Sequence, residues 1–350
     1  MTTLNNTTIT RAKARIGRAL GALFVGICLV AVSFTALAPR ASSAADRTAA
    51  QNSASQAAVP NPMGCQPGEI FTDMQGWWKN PNPSKDRGHL HIGVCFPHGK
   101  TLTGKVTFRI RTVMHNNPGR LTRDAVYIVA PKVSGAPTCG GNGALACVPL
   151  KDKPRTIAQC AATGGTLSAD GLTCTWWDNL TVDTALIAND GWQEFRFKGY
   201  VKEPDGQEMI VSNGLHAYLK NGRPVKSTVS NPDGMVARGW YTDAGYTNAA
   251  LSKPPMGPVS GTWTPSVKLD QGSGGLPVIG FYCALDPDFH NANPGTPVKL
   301  GNSLYRGKLQ IDTTKLSNGW HRLFLKTDAL HNASGSTSSG VLAILFEVQN

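Results

Sequence analysis

The sequence predicts an all-β protein of two tandem antiparallel β-sandwiches, the first interrupted by a cysteine-rich insertion. Three observations carry that expectation. From Cys65 onward, short alternating apolar segments are separated by clusters of Gly, Pro, Asn and Asp. No stretch of a dozen residues keeps the period of an amphipathic helix. Finally, two parts of the chain match each other. Leu180-Thr-Val182-Asp183-Thr184, followed by Gly191-Trp192, Phe195, Phe197 and Lys198, returns as Leu309-Gln-Ile311-Asp312-Thr313, then Gly319-Trp320, Leu323, Leu325 and Lys326. Agreement across separated segments implies two copies of one supersecondary unit.

The chain opens on Arg11, Lys13, Arg15 and Arg18 with no acidic residue nearby, and an apolar run follows from Ala19 to Ala38. That is the pattern of an export signal, expected over residues 1–45 with cleavage near Asp46. The run is also long enough to span a bilayer, which leaves an uncleaved anchor as the alternative and the one expected route to a membrane. Without residues 1–45, which hold five basic and no acidic residues, the formal net charge falls from +12 to +7. The remaining Lys and Arg are scattered, so no nucleic-acid partner is expected. Residues 46–63, rich in Ala, Ser and Gln and ending in Pro60-Asn61-Pro62, read as a disordered linker.

The first sandwich is expected over 64–252, with its insertion at about 131–178, and the second over 253–350. Expected strands include 105–113, 125–130, 193–200, 215–220, 320–326 and 341–348. In each copy the Asp-Thr pair closes a turn through side-chain bonds to the backbone. Asp190-Gly191 and Asn318-Gly319 then supply the turn into the next strand. On those strands Gln193, Phe195 and Phe197, and likewise His321, Leu323 and Leu325, share the inner face. The match is extended by Leu102-Thr103-Gly104 with Val259-Ser260-Gly261, and by Ser212-x-Gly214-Leu215-x-Ala217-Tyr218-Leu219 with Ser338-x-Gly340-Val341-x-Ala343-Ile344-Leu345.

The second copy, through Val259-Ser-Gly261, Gly280-Phe-Tyr282, Ile311-Asp-Thr313-Thr-Lys-Leu316-Ser-Asn-Gly-Trp-His321 and Phe346-Glu-Val-Gln-Asn350, resembles the immunoglobulin-like (fibronectin-type-III-like) domains of bacterial extracellular proteins over about residues 256–350. The resemblance implies a seven-stranded antiparallel sandwich. It implies little about function, since such sandwiches host unrelated roles.

Seven cysteines follow the export signal, and in an oxidising compartment they are expected to pair. Pairing neighbours joins Cys65 with Cys95, Cys139 with Cys147, and Cys160 with Cys174. Cys283, inside an apolar run, is left as a small core residue.

Three sets of residues could carry chemistry. Trp77-Trp78, Trp176-Trp177 and Trp240-Tyr241 are aromatic pairs in loop-like surroundings, where flat rings can stack on sugar faces. Adjacent residues on a strand would instead split between a buried and an exposed face. His89-Leu90-His91 places two imidazoles on one side of an expected strand, with His98 close in sequence, and could seed a zinc site. Asp286, Asp288 and His290 alternate in a way that suits calcium, or zinc if His290 joins, although Pro287 and Pro294 favour a capped turn. His115, in His115-Asn-Asn-Pro-Gly119, reads as part of a turn. Asp178, Asp183 and Glu194 could do acid–base work on glycosides if the fold brought two together. No GxSxG or HExxH motif occurs.

The expectation is a secreted, non-catalytic binding or surface-interaction protein with polysaccharide as its ligand. The alternatives are a secreted metal-assisted hydrolase around His89, His91 and His98, a glycan-cleaving enzyme, and a structural spacer. No cofactor beyond a calcium or zinc ion is expected.

Overall fold

The computed structural model describes residues 60–79, 87–128, 144–148, 155–230, 234–241, 245–271, 278–286, 304–331 and 336–350. The export segment 1–45 and residues 46–59 of the linker lie outside them. The described residues form strands with a few single-turn 3-10 segments. None of their helices is long and apolar enough to cross a membrane.

In chain order the first ten strands are β1 (Ile70–Lys79), β2 (Gly88–Phe96), β3 (Thr101–Leu102), β4 (Lys105–His115), β5 (Arg120–Ile128), β6 (Ala144–Cys147), β7 (Thr166–Leu167), β8 (Thr173–Asp183), β9 (Gly191–Lys202) and β10 (Glu208–Leu219). The next nine are β11 (Gly234–Tyr241), β12 (Gly245–Ser252), β13 (Thr262–Trp263), β14 (Ser266–Gln271), β15 (Val278–Leu285), β16 (Leu304–Lys308), β17 (Ile311–Asp312), β18 (Gly319–His331) and β19 (Ser336–Val348).

Two large sheets enclose the core. One runs β15-β18-β19-β1-β2-β4-β8-β7, the other β16-β14-β12-β11-β10-β9-β5-β6 with β3 beside β10. The duplication is visible in this order. Strands β1, β2, β4 and β8 of the first unit correspond to β11, β12, β14 and β16, and β5, β9 and β10 correspond to β15, β18 and β19. Each unit puts four strands in one sheet and three in the other. The two units lie side by side and share both sheets, because β1 pairs with β19 and β10 pairs with β11. The correspondence also starts the second unit at β11, ahead of the boundary at 253 read from the sequence. A constant-type immunoglobulin domain puts its first, second, fourth and fifth strands in one sheet. Here the third strand takes the place of the fourth, so the strand order differs from that arrangement.

Trp192 and Trp320 occupy the same topological position, one residue into β9 and β18, after glycines at φ 100° and 124°. Those angles belong to a region that side chains disfavour, which explains the Asx-Gly pairs. Gly191 pairs with Leu219 and Gly319 with Val348, so these two strand ends correspond. The sequence match of Leu219 with Leu345 is therefore three residues out of step. An odd shift exchanges the faces of a strand. Accordingly, Leu215 lies in the main core while Val341 packs with Phe324 and Ala343 on the outer side.

One contiguous apolar cluster runs through both units, from Met74, Ile92 and Phe108 to Leu325 and Ile344. Phe96, Phe108, Phe195 and Phe197 pack at centroid separations of 5.2 to 5.7 Å. Disulfides join Cys65 to Cys95 and Cys160 to Cys174 as expected, and point to an oxidising environment. Cys147 is also disulfide-bonded, and Cys139 lies outside the described residues. Cys283 is a buried core residue outside the disulfides.

Candidate metal centre

On β2, Leu90, Ile92, Val94 and Phe96 face the core. Strand alternation therefore sends His89, His91 and Gly93 to the outer face. Antiparallel pairing sets β1 and β4 on either side, with Asp73 opposite Gly93, Gln75 opposite His91, and His115 opposite His89. Asp73, Gln75 and His91 are completely buried although they lie on the outer face.

Asp73 Oδ2 is the hub of this polar group. His91 Nδ1 lies 3.3 Å from it, Gln75 Nε2 donates to it at 3.3 Å, and Arg111 Nη1 stands 3.8 Å away. Its other oxygen, Oδ1, has no hydrogen-bond partner among the described residues. Gly93 makes room for this arrangement, since a Cβ there would come within 2.6 Å of the Phe71 ring and 3.2 Å of Asp73 Oδ1.

The imidazoles of His89 and His91 lie 6.1 Å apart between centroids, and those of His89 and His115 5.2 Å apart. His115 Nδ1 is 2.7 Å from Thr173 Oγ1 on β8. Two of the three rings are thus held at Nδ1 by a protein oxygen. Such a carboxylate or hydroxyl contact fixes the orientation and tautomer of a ligating histidine. The donor atoms of His89, His91 and His115 do not all lie within 4.8 Å of one another, so closing on one ion moves the rings from the positions these contacts give them. The group of His, Cys, Asp and Glu whose donor atoms all lie within 4.8 Å of one another, among the described residues, is Cys65, Glu69 and Cys95. Its two sulfurs are spent in a disulfide.

His115 and His89 are half-buried and give the group its approach to solvent. Beside His115 opens a cleft of about 260 Å3 lined by Thr166, Ser168, Asp170, Thr173 and Thr175. The hydrogen bond from Ser168 holds the Asp170 carboxyl below the usual range, helped by the Leu172 amide and the nearby His115.

The structure redistributes the candidates read from sequence. His89 and His91 come together, but His98 does not join them. It sits in the turn after β2, where its Nδ1 accepts the His216 amide at 3.2 Å. Seven residues of mostly extended chain separate it from His91, roughly 23 Å at about 3.3 Å per residue. The ring beside His89 is instead that of His115. Sequence reasoning placed His115 in a turn and did not single out Asp73, Gln75 or Arg111. Their signal, polar residues at alternate positions of a strand, becomes specific only once the strands are in register.

The aromatic pairs lie on strands, not in loops: Trp77 and Trp78 on β1, Trp176 and Trp177 on β8, Trp240 and Tyr241 on β11. Trp176 is 1% exposed and donates from Nε1 to Thr163 Oγ1, so it is a core residue. Trp177 is half-buried, 6.4 Å from Phe71 and 4.2 Å beneath the Arg109 guanidinium. The side chains of Trp77, Trp78, Trp240 and Tyr241 lie outside the described set.

Asp286 caps structure, holding His321 Nδ1 at 2.5 Å and accepting the Arg322 amide at 2.8 Å. Asp288 and His290 lie outside the described residues. The three carboxylates considered for glycoside cleavage serve different partners: Asp178 accepts twice from Arg155, Asp183 caps the Ala185 amide, and Glu194 pairs with Arg196. No protein-family model matches the chain, and no curated protein matches it.

Proposed function

We propose that this protein binds a divalent transition-metal ion through His89, His91 and His115, and presents it to a ligand entering the cleft beside His115. The observation that supports the reading is the double anchoring of imidazoles, His91 on Asp73 and His115 on Thr173. Imidazole donors suit zinc or copper, whereas calcium requires an oxygen-rich site, so the calcium expectation is set aside here. Three protein ligands leave coordination positions for water or substrate, where the metal acts as a Lewis acid.

The hydroxyl and carboxylate lining of the cleft suits a polyhydroxylated ligand, which keeps polysaccharide as the proposed partner. Its contacts would be polar ones near the metal, not a row of stacked tryptophans. Export from the cell belongs to the same proposal, supported by the N-terminal pattern and the disulfides.

The test is metal analysis of protein purified without chelator, then calorimetric titration of the stripped protein with Zn2+ and Cu2+. Stoichiometric binding is expected, lost in His91→Ala and His115→Ala and kept in His98→Ala. Absence of stoichiometric binding, or full binding by His115→Ala, overturns the proposal.

A further inference from the structure

A cleft of about 620 Å3 lies at the opposite end of the same outer sheet face. It falls within the usual ligand-pocket range of roughly 300–1,000 Å3. Following the pairing of β1 with β19, Glu347 is six residues along from the row of His91 and eight from that of His89, roughly 20 and 27 Å at about 3.4 Å per residue, so it is a separate site. Its wall is apolar, with Trp320, Pro255, Pro258 and the exposed Met256. Its ionisable lining is Glu69 and Glu347, with no Lys, Arg or His, in a chain of formal net charge +12.

Glu347 is the informative residue. It is the cross-strand partner of Trp320 and only 7% exposed. Its backbone carbonyl accepts the Val259 amide, but its carboxylate has no hydrogen bond or ion pair among the described residues. Every other strongly buried acid described on this face is engaged: Asp73 with His91 and Arg111, and Asp328 with Lys326. Its carboxylate oxygens are not among the fully buried polar atoms, so they open on the cleft, where a ligand cation gains a charge-assisted contact against an apolar wall. The neighbouring tryptophan favours the same charge, because an indole face attracts cations.

We propose that this cleft is a binding site for an organic cation, an ammonium group carried on an apolar body. The ammonium meets Glu347 and the Trp320 ring, and the apolar part lies against the prolines and Met256. Glu69 is secondary, since one of its oxygens already accepts the Gln66 amide.

The experiment uses the full chain with EDTA present, so that metal binding plays no part. Calorimetry and tryptophan fluorescence follow titration with n-hexylammonium, 1-hexanol and hexanoate. Hexylammonium is expected to bind saturably, and the neutral and anionic probes at least about tenfold more weakly, since a charge-assisted contact separates them. Glu347→Gln, nearly isosteric, is expected to lose about tenfold or more for hexylammonium and to keep the affinity for hexanol, with an unchanged circular dichroism spectrum. Equal affinity for the three probes, retained hexylammonium binding in folded Glu347→Gln, or no saturable binding to the folded protein overturns the proposal.

Discussion

Asn221 and Asn350 fill the same place in the two units and make the same hydrogen bonds. Asn221 Nδ2 donates to Thr184 O at 3.2 Å, and its Oδ1 accepts Gly104 N at 2.8 Å. Asn350 Nδ2 donates to Thr313 O at 2.6 Å, and its Oδ1 accepts Gly261 N at 3.4 Å. In both units the threonine hydroxyl donates to the glycine carbonyl at 2.7 Å. The asparagine amide is bound by Asp190 in one unit and by Asn318 in the other. The latch ties the end of the unit to its 3-10 turn and to the segment that pairs in parallel with its last strand.

Asn221→Ala strips the first latch of its side-chain bonds and leaves the Gly104 amide without its acceptor. A loss of about 1–3 kcal/mol is expected by urea denaturation. Asn350→Ala should fall in the same range. A difference of several kcal/mol between the two would show that the matched geometry does not carry matched energy.

Asp73→Asn should leave His91 in place but remove the carboxylate that orients it. Metal affinity measured by calorimetry is expected to drop roughly 10–100-fold. Unchanged affinity would assign Asp73 to Arg111 and Gln75 alone.

Glu203 gives a pH dependence. It is 3% exposed, and burial pushes its carboxyl up to about 8, against the Asn117 hydrogen bond and the Arg87 charge, with Asp205 adding to the rise. The folded protein then holds a proton that the unfolded chain releases near 4.5. This contribution to stability is therefore full below the unfolded value and is lost as pH rises from there through about 8. Glu203→Gln should remove the slope and be more stable than the parent at pH 8, by up to about 4 kcal/mol. Parallel melting curves of the two proteins from pH 5 to 8 would contradict this.

Trp176→Ala is expected to cost roughly 3–5 kcal/mol in chemical denaturation, as for other fully buried large side chains. A small cost, or a specific loss of glycan retention at unchanged stability, would return Trp176 to the binding residues.

Much of the fold was legible because it is local. Alternation in 193–200 and 320–326 fixes which side chains face the core, and Asp190-Gly191 and Asn318-Gly319 fix the turns before those strands. The disulfides Cys65–Cys95 and Cys160–Cys174 were legible because loop closure favours near neighbours. The out-of-step match of 212–219 with 338–345 shows the limit, since similar apolar residues fit a strand in either register.

By itself the sequence determined the strands, the duplication and the pairing of His89 with His91, all of which depend on residues close along the chain. Only the tertiary structure decided that the two units share their sheets, that His115 and not His98 lies beside His89, and that Glu347 lines an apolar cleft. Those outcomes depend on strand order and register, which are set by contacts among residues as far apart as β1 and β19, and no periodicity within one segment records them.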